Sequence, residues 1–141
     1  MDRILTITPE RCIACGKCEL ACADRHTQQY DPRRARVTVY RRGPELGTPV
    51  LCLQCDDAAC VRVCETRALV RNEATGAIDV VHERCIRCRA CVGACPFGNM
   101  AWDEPACQVA KCDVCQGRPA CALHCPTGAI QYRLACEAMR P

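Results

Sequence analysis

Short runs of alternating or apolar residues predict small strands along the chain, each too short to form a stable sheet alone. The candidates are residues 3–7, 36–40, 69–70, 78–81, 100–102 and 129–132. The runs at 69–70 and 78–81 flank the turn-forming segment 72–76, so they predict a β-hairpin. The pattern therefore indicates an α+β protein built of small strands and short helices.

The chain lacks the residues that usually fill a core of this size. Half of its 141 residues are hydrophobic, but 18 of those are cysteine, and there are only one Phe, one Trp and three Tyr. Cysteine at this density indicates either a disulfide scaffold or a metal scaffold. Something other than apolar burial must hold the chain together.

Sixteen of the cysteines form four copies of one motif, with three closely spaced thiols and a fourth offset by three residues. The copies are Cys12, Cys15, Cys18 and Cys22; Cys52, Cys55, Cys60 and Cys64; Cys85, Cys88, Cys91 and Cys95; and Cys112, Cys115, Cys121 and Cys125. We expect a helical turn to begin at each fourth cysteine. Cys107 and Cys136 fall outside the repeat, and we expect them to be buried or idle thiols.

This spacing predicts [4Fe-4S] clusters, because a cubane needs four thiolates and a C-x2-C-x2-C loop supplies three from one side. A zinc site would leave one thiol of each tight run unused, because structural zinc takes two separated pairs. Disulfides would need an oxidising compartment, and a thioredoxin-type motif would need a βαβ setting. We therefore predict four [4Fe-4S] clusters, with all sixteen cysteines as iron ligands and no catalytic residue.

Net charge, the N-terminal residues and the lack of a long apolar run indicate which partners and which compartment to expect. The formal net charge is +3, but cluster-bound thiolates would bring the loaded protein to roughly −5. The basic excess is thus compensation, and we expect no nucleic-acid partner. Residues 1–9 carry no secretory signal, and no apolar run approaches the roughly 18 residues of a membrane span. We expect a cytoplasmic protein without a membrane anchor.

The motifs, with the segments 52–60, 95–98 and 125–130, resemble the four-cluster ferredoxin subunits of oxidoreductases over residues 4–132. That family includes electron-transfer subunits of dimethyl sulfoxide reductase and formate dehydrogenase, and polyferredoxins of tungsten aldehyde oxidoreductases. The resemblance implies a ferredoxin-like fold of two pseudo-symmetric double-cluster halves. It implies an outer unit formed by residues 1–48 and 105–141, with a basic hairpin at 33–42, and an inner unit at 49–104.

The resemblance also implies a nested pairing of the motifs, first with fourth and second with third. The implied ligand sets are Cys12, Cys15, Cys18 and Cys125; Cys112, Cys115, Cys121 and Cys22; Cys52, Cys55, Cys60 and Cys95; and Cys85, Cys88, Cys91 and Cys64. Spacing alone leaves the sequential alternative open, in which the first motif pairs with the second and the third with the fourth.

The family implies a non-catalytic subunit that relays single electrons between a catalytic subunit and a second redox partner, such as a flavoprotein. We expect a tungsten or molybdenum aldehyde oxidoreductase as the catalytic partner. Carbon monoxide dehydrogenase, hydrogenase and formate dehydrogenase are alternatives, as is self-association into a filament. A cluster-containing assembly or structural protein is the alternative of another class.

Non-cysteine residues near the motifs give three further expectations. Glu65 should lower the reduction potential of a nearby cluster, and Arg84, Arg87 and Arg89 should raise that of the cluster at the third motif. His124 is a candidate hydrogen-bond donor to a cluster sulfur. The basic segment 33–42 is either a solvated cover over a cluster or a docking surface for an acidic partner.

Overall fold

The computed structural model describes residues 3–140 and consists of short helices and two-stranded sheets. The strands are β1 (Arg3–Ile7), β2 (Thr38–Gly43), β3 (Leu46–Val50), β4 (Leu69–Arg71), β5 (Ile78–Val80), β6 (Ala101–Asp103), β7 (Gln108–Ala110) and β8 (Ile130–Leu134). The helices are α1 (Lys17–Thr27), α2 (Ala59–Val63), α3 (Ala90–Ala94), α4 (Ala120–Leu123) and α5 (Ala135–Ala138). The first two residues of the segment predicted to lack a leader lie outside the described range.

The strands form four antiparallel pairs: β1 with β8, β2 with β3, β4 with β5, and β6 with β7. Three of these pairs are hairpins between neighbouring strands. The fourth joins residues far apart in the chain, with Arg3 opposite Leu134 and Ile7 opposite Ile130. The first and fourth cysteine motifs are thereby anchored to the two strands of one ladder.

The described chain divides into two compact units, each with its own small core. The outer unit takes the residues up to Leu51 together with those from Val114 onward, and the inner unit is Cys52–Asp113. The outer core contains Cys18, Cys22, Val37, Val39, Leu51, Cys121 and Ile130. The inner core contains Ala58, Cys60, Leu69, Ile78, Met100 and Val109. Cysteine side chains are part of both cores.

Several predicted elements are confirmed. Strand β1 matches residues 3–7, β8 covers most of 129–132, and β4 with β5 forms the predicted hairpin. The partner of β6 was not predicted, because β7 is a three-residue strand without a distinctive pattern. Among residues 3–140, no helix is both long and apolar enough to cross a membrane.

The prediction of helical turns beginning at the fourth cysteines was wrong. Helices α2 and α3 end one residue before Cys64 and Cys95, and α4 ends two residues before Cys125. Helix α1 contains both Cys18 and Cys22. In the last three motifs the fourth cysteine therefore follows a helix, and a turn rather than a helix comes after it.

The prediction of one hairpin over 33–42 was also wrong. Residues Pro32–Arg34 form a 3₁₀ turn, which begins where the Asp31 carboxylate accepts a hydrogen bond from the Arg33 amide at 3.0 Å. Within this segment, only the residues of β2 belong to a hairpin. The partner strand is β3, which the sequence analysis did not predict. Proline at the first helical position favours such a turn over a strand.

Candidate metal-cluster sites

The four cysteine loops share one backbone feature that the sequence does not predict. The residue before the second cysteine of each motif has a left-handed conformation: Ala14 at φ 57°, Gln54 at 51°, Arg87 at 61° and Val114 at 58°. None of these is glycine, so each conformation costs free energy, of order 1–3 kcal/mol where the surroundings do not relieve it. Its recurrence in all four loops indicates that it is needed to turn successive thiols toward one point.

In the outer unit, thiols from the first and fourth motifs line a common cavity. These are Cys12, Cys15, Cys18 and Cys125. Val39, Pro49 and Ile130 supply apolar walls. Burial raises the pKa of Cys18 to about 12, with further increases from the neighbouring charges of Glu19, Cys15 and Cys125. A thiol in this setting becomes a thiolate only when a cation replaces its proton.

In the inner unit, two more cavities are each lined by four thiols from the second and third motifs. Cys52, Cys55, Cys60 and Cys95 surround one, and Cys64, Cys85, Cys88 and Cys91 surround the other. The second cavity has a volume of about 240 Å³. A single zinc ion, with Zn–S bonds of about 2.3 Å, would not fill such a space, whereas an inorganic cube would. The donor chemistry and the space of this second cavity therefore fit an iron–sulfur cluster.

The remaining predicted set is only partly gathered within one unit. Cys22 and Cys121 belong to the same buried core, and the charge of Cys115 acts on Cys22. Burial raises the pKa of Cys22, although backbone N–H groups of Arg36 and Val37 oppose this. Cys112, the fourth member of the set, is half-buried at the end of the inner unit.

Backbone N–H groups point at the fourth cysteine of several motifs. The amides of Arg36, Ala68 and Asn99 donate to the sulfurs of Cys22, Cys64 and Cys95 at 3.2, 3.3 and 3.4 Å. Burial would raise the pKa of Cys64, Cys95 and Cys125, but hydrogen bonds from the following turn hold each below its usual value. Such bonds stabilise negative charge on sulfur, and in a loaded site they raise the reduction potential.

The structure brings a histidine that was not predicted to tune a cluster close to a motif sulfur. The Nδ1 atom of His124 lies 2.9 Å from the carbonyl oxygen of Ala120, within the last turn of α4, and the side chain is exposed. By contrast, Nε2 of His26 lies 3.6 Å from the sulfur of Cys115. His26 is 89 positions from Cys115 in sequence, so only the packing of the outer unit reveals their contact.

Cys107 and Cys136 are both exposed, so they are not buried thiols, and the alternative that they are idle stays a prediction. Cys107 lies in the turn between β6 and β7, and Cys136 lies in α5. Neither lines a cavity that contains the motif cysteines.

Two charged side chains are buried among residues 3–140, and each lies beside a different cavity. Glu19 follows Cys18 and is 7% exposed, while Lys111 lines the cavity of Cys52 and is 3% exposed. The Lys111 ammonium donates to Oε1 of Gln54 at 2.7 Å and to the carbonyl oxygen of Cys112 at 3.0 Å. Its charge lowers the pKa of Cys60, although burial outweighs it and the pKa is raised overall.

The exposed charges near the third motif are arranged differently from the prediction. Glu65 and Arg89 line the same cavity, so their effects on one cluster oppose each other. The guanidinium of Arg89 also stacks over the Trp102 ring, 4.0 Å from its centroid. The Arg84 guanidinium lies 3.5 Å from the Arg67 carbonyl oxygen. The largest electrostatic effect is instead expected at the cavity beside buried Lys111, because exposed charges are screened.

Within the basic segment, Arg41 is tied to the outer core. Its Nη2 atom donates to Oε1 of Glu19 at 2.9 Å, and Oε2 of Glu19 accepts the Val39 amide at 3.3 Å. The Arg41 side chain is half exposed, whereas that of Glu19 is only 9% exposed. Arg41 therefore neutralises a buried carboxylate beside a cysteine loop.

Replacing Arg41 with alanine should destabilise the outer unit by about 1–3 kcal/mol, because Glu19 would remain buried without its cation. The measurement is the guanidinium concentration at which the cluster-loaded protein loses its visible absorbance under anaerobic conditions. Arg42→Ala on the same strand is the control, since Arg42 is exposed. Equal midpoints for the two variants would contradict the role of Arg41.

Comparison with known proteins agrees with this geometry. Residues 46–134 match the model of the 4Fe-4S dicluster domain, and residues 5–22 match that of the 4Fe-4S binding domain. The polyferredoxin-like subunit of an aliphatic sulfonate oxidoreductase from Pyrococcus furiosus is 39% identical, over 86% of this chain and 70% of that protein. Electron transport protein HydN of Escherichia coli is 32% identical, over 92% of this chain and 87% of its own length.

The subunit beta of an NADH-dependent phenylglyoxylate dehydrogenase from Aromatoleum evansii is 37% identical over 91% of this chain, but the chain spans only 29% of that protein. Among solved structures, a chain of the active site complex BamBC of benzoyl coenzyme A reductase is similar, with a TM-score of 0.53 and 25% identity. The match covers 92% of this chain and 74% of that one. The predictions of [4Fe-4S] cofactors and of a non-catalytic electron-transfer role are confirmed by these relatives. This chain belongs to the 4Fe-4S dicluster domain family of iron–sulfur proteins.

Proposed function

We propose that the chain holds four [4Fe-4S] clusters on its sixteen motif cysteines and relays single electrons between a catalytic oxidoreductase subunit and a second redox partner. The observation that carries the proposal is the grouping of thiols, four around each of three cavities. When bound, each cluster supplies a one-electron couple. The chain's own contribution is to hold, space and insulate those couples.

The nested arrangement is part of this proposal. In the outer unit one cavity combines thiols of the first and fourth motifs, and in the inner unit both cavities combine thiols of the second and third. We propose that the fourth cluster takes Cys112, Cys115, Cys121 and Cys22, which completes two pseudo-symmetric double-cluster halves. The pairing of β1 with β8 supports this, because it draws the first motif and the last three cysteines of the fourth motif into one unit.

Apolar side chains at the first position after the leading cysteine cover three of the loops. They are Ile13, Leu53 and Ile86, and they are 45, 58 and 64% exposed. Exposed aliphatic residues at equivalent places in three motifs act as a partial shield between cluster and water, which lowers the local dielectric and tunes the potential. In the fourth motif this position is Asp113.

For the partner, we propose a tungsten- or molybdenum-containing oxidoreductase of the aldehyde oxidoreductase type, with a flavoprotein as the second partner. The similarity to a polyferredoxin-like subunit of a sulfonate oxidoreductase supports a catalytic partner subunit of the oxidoreductase class. Carbon monoxide dehydrogenase, hydrogenase or formate dehydrogenase remain alternatives, and so does association into a filament. Sixteen reduced thiols need a compartment that does not oxidise them to disulfides, so we place the protein in the cytoplasm.

The proposal is tested by anaerobic purification with whatever subunit accompanies the chain, followed by iron analysis and redox titration. We expect about sixteen irons per chain and reversible one-electron reduction of every cluster. We also expect reduction by the co-purifying enzyme when its substrate is added. Clusters that no copurifying enzyme can reduce would instead favour an assembly or structural role.

A further inference from the structure

An open groove in the outer unit has the composition of a docking surface. It has a volume of about 540 Å³ and runs between β1, α4 and β8. Three arginines line it, Arg3, Arg118 and Arg133, and all three are exposed. No acidic residue is among the described residues that line the groove. The groove therefore presents positive charge without local compensation.

The centre of the groove is apolar and aromatic. Leu123 of α4 is 70% exposed there, although α4 is only four residues long and its other face is buried. Tyr132 lies beneath Arg3, whose guanidinium is 5.6 Å from the ring centroid. The Arg3 Nη1 atom also lies 3.4 Å from the Tyr132 carbonyl oxygen. An apolar centre with an arginine and tyrosine rim is the composition that protein interfaces favour.

The groove is lined by the two residues that follow a proposed cluster ligand in sequence. Helix α4 carries Cys121, which is 7% exposed, on its inner side, while the next two residues, Ala122 and Leu123, line the groove. A partner seated there would approach the cluster that Cys121 helps to hold, with little protein between. Electron transfer between proteins requires such a short path.

We infer that this groove is the surface through which the chain exchanges electrons with an acidic redox protein. The inference rests on the proposed relay function and specifies its partner by charge. One electron leaves the reduced protein, which is oxidised by one equivalent, and the partner's redox centre gains it. No bond is made or broken. The groove is a better candidate than the basic segment 33–42, where Arg41 is engaged with Glu19 and Arg33 with Asp31.

The test uses the cluster-loaded protein, reduced with dithionite, and an acidic flavodoxin as the acceptor. Arg118→Glu and Arg133→Glu should each lower the second-order rate constant at low ionic strength by about tenfold or more, and should flatten its salt dependence. Arg42→Glu is the matched control: it makes the same charge change at an exposed site in the same unit, and should change the rate constant by less than about twofold. Arg118→Gln and Arg133→Gln serve as milder variants if a reversal lowers the iron content.

Three outcomes would overturn the inference. Equal rates for all variants would do so, as would a larger effect of Arg42→Glu than of the groove variants. A loss of rate caused by inorganic phosphate, but not by chloride at the same ionic strength, would assign the groove to a small anion instead. If the unaltered protein could not pass electrons to any acceptor, the proposed relay function itself would fail, which is a separate result.

Discussion

Replacing Cys125 with alanine should leave three intact [4Fe-4S] clusters per chain instead of four, and the cluster affected should be the one on Cys12, Cys15 and Cys18. The reason is that Cys125 lines the same cavity as those three thiols. Iron analysis and quantitation of the reduced clusters by electron paramagnetic resonance measure the loss. Cys107→Ala and Cys136→Ala are controls that should keep all four clusters, since both thiols are exposed and outside the cavities.

Double variants separate nested from sequential pairing. If Cys15 and Cys125 serve one cluster, the variant lacking both should lose no more clusters than Cys125→Ala alone. A variant lacking Cys88 and Cys125 should lose two. Sequential pairing of the third motif with the fourth predicts the reverse for both double variants. The comparison does not depend on how much each single change destabilises the fold, because it counts intact clusters.

Replacing Lys111 with methionine should lower the reduction potential of the cluster on Cys52, Cys55, Cys60 and Cys95 by about 60 mV or more. The value corresponds to about a tenfold change in the reduction equilibrium constant for a one-electron couple. The buried ammonium lines that cavity and stabilises the extra negative charge of the reduced cluster, so its removal favours the oxidised state. A redox titration followed by electron paramagnetic resonance measures the shift.

Two variants control for the loss of structure rather than charge. Lys111→Arg keeps the positive charge and should keep most of the potential. Arg84→Met removes an exposed cation near the third motif and should shift its cluster much less, because water and salt screen it. An unchanged potential in Lys111→Met would show that Lys111 only positions Gln54. An equal shift in Arg84→Met would show that burial gives Lys111 no larger effect than an exposed cation has.

Cysteine spacing was sufficient to predict the cofactor, because thiol ligands at these intervals have few other uses. The short strands at 3–7, 69–81 and 129–132 also followed from local pattern and turn residues. The sites were harder to describe beyond their ligands. Lys111 and Glu19 are ordinary charged residues in the sequence, and their burial depends on packing between segments far apart in the chain.

The left-handed conformation in the four cysteine loops could not be predicted from the sequence either. Glycine marks left-handed positions in a sequence, but Ala14, Gln54, Arg87 and Val114 carry no such signal. The contact of His26 with Cys115 was missed for a related reason, since the two residues are 89 positions apart in sequence, whereas Nδ1 of His124 lies beside the Ala120 carbonyl oxygen. Residues that contact a site from a distant part of the sequence can be identified only once the fold is known.

The antiparallel ladder between β1 and β8 has a consequence for how such a module combines with others. Because Arg3 lies opposite Leu134, the start of β1 and the end of β8 lie side by side at one edge of the outer unit. A fold with neighbouring entry and exit points can be spliced into a longer polypeptide without stretching either connection. This geometry suits relatives in which the matching segment is a minor part of the protein, such as the phenylglyoxylate dehydrogenase subunit. An electron-carrying unit of this kind can thus form one segment of a larger polypeptide.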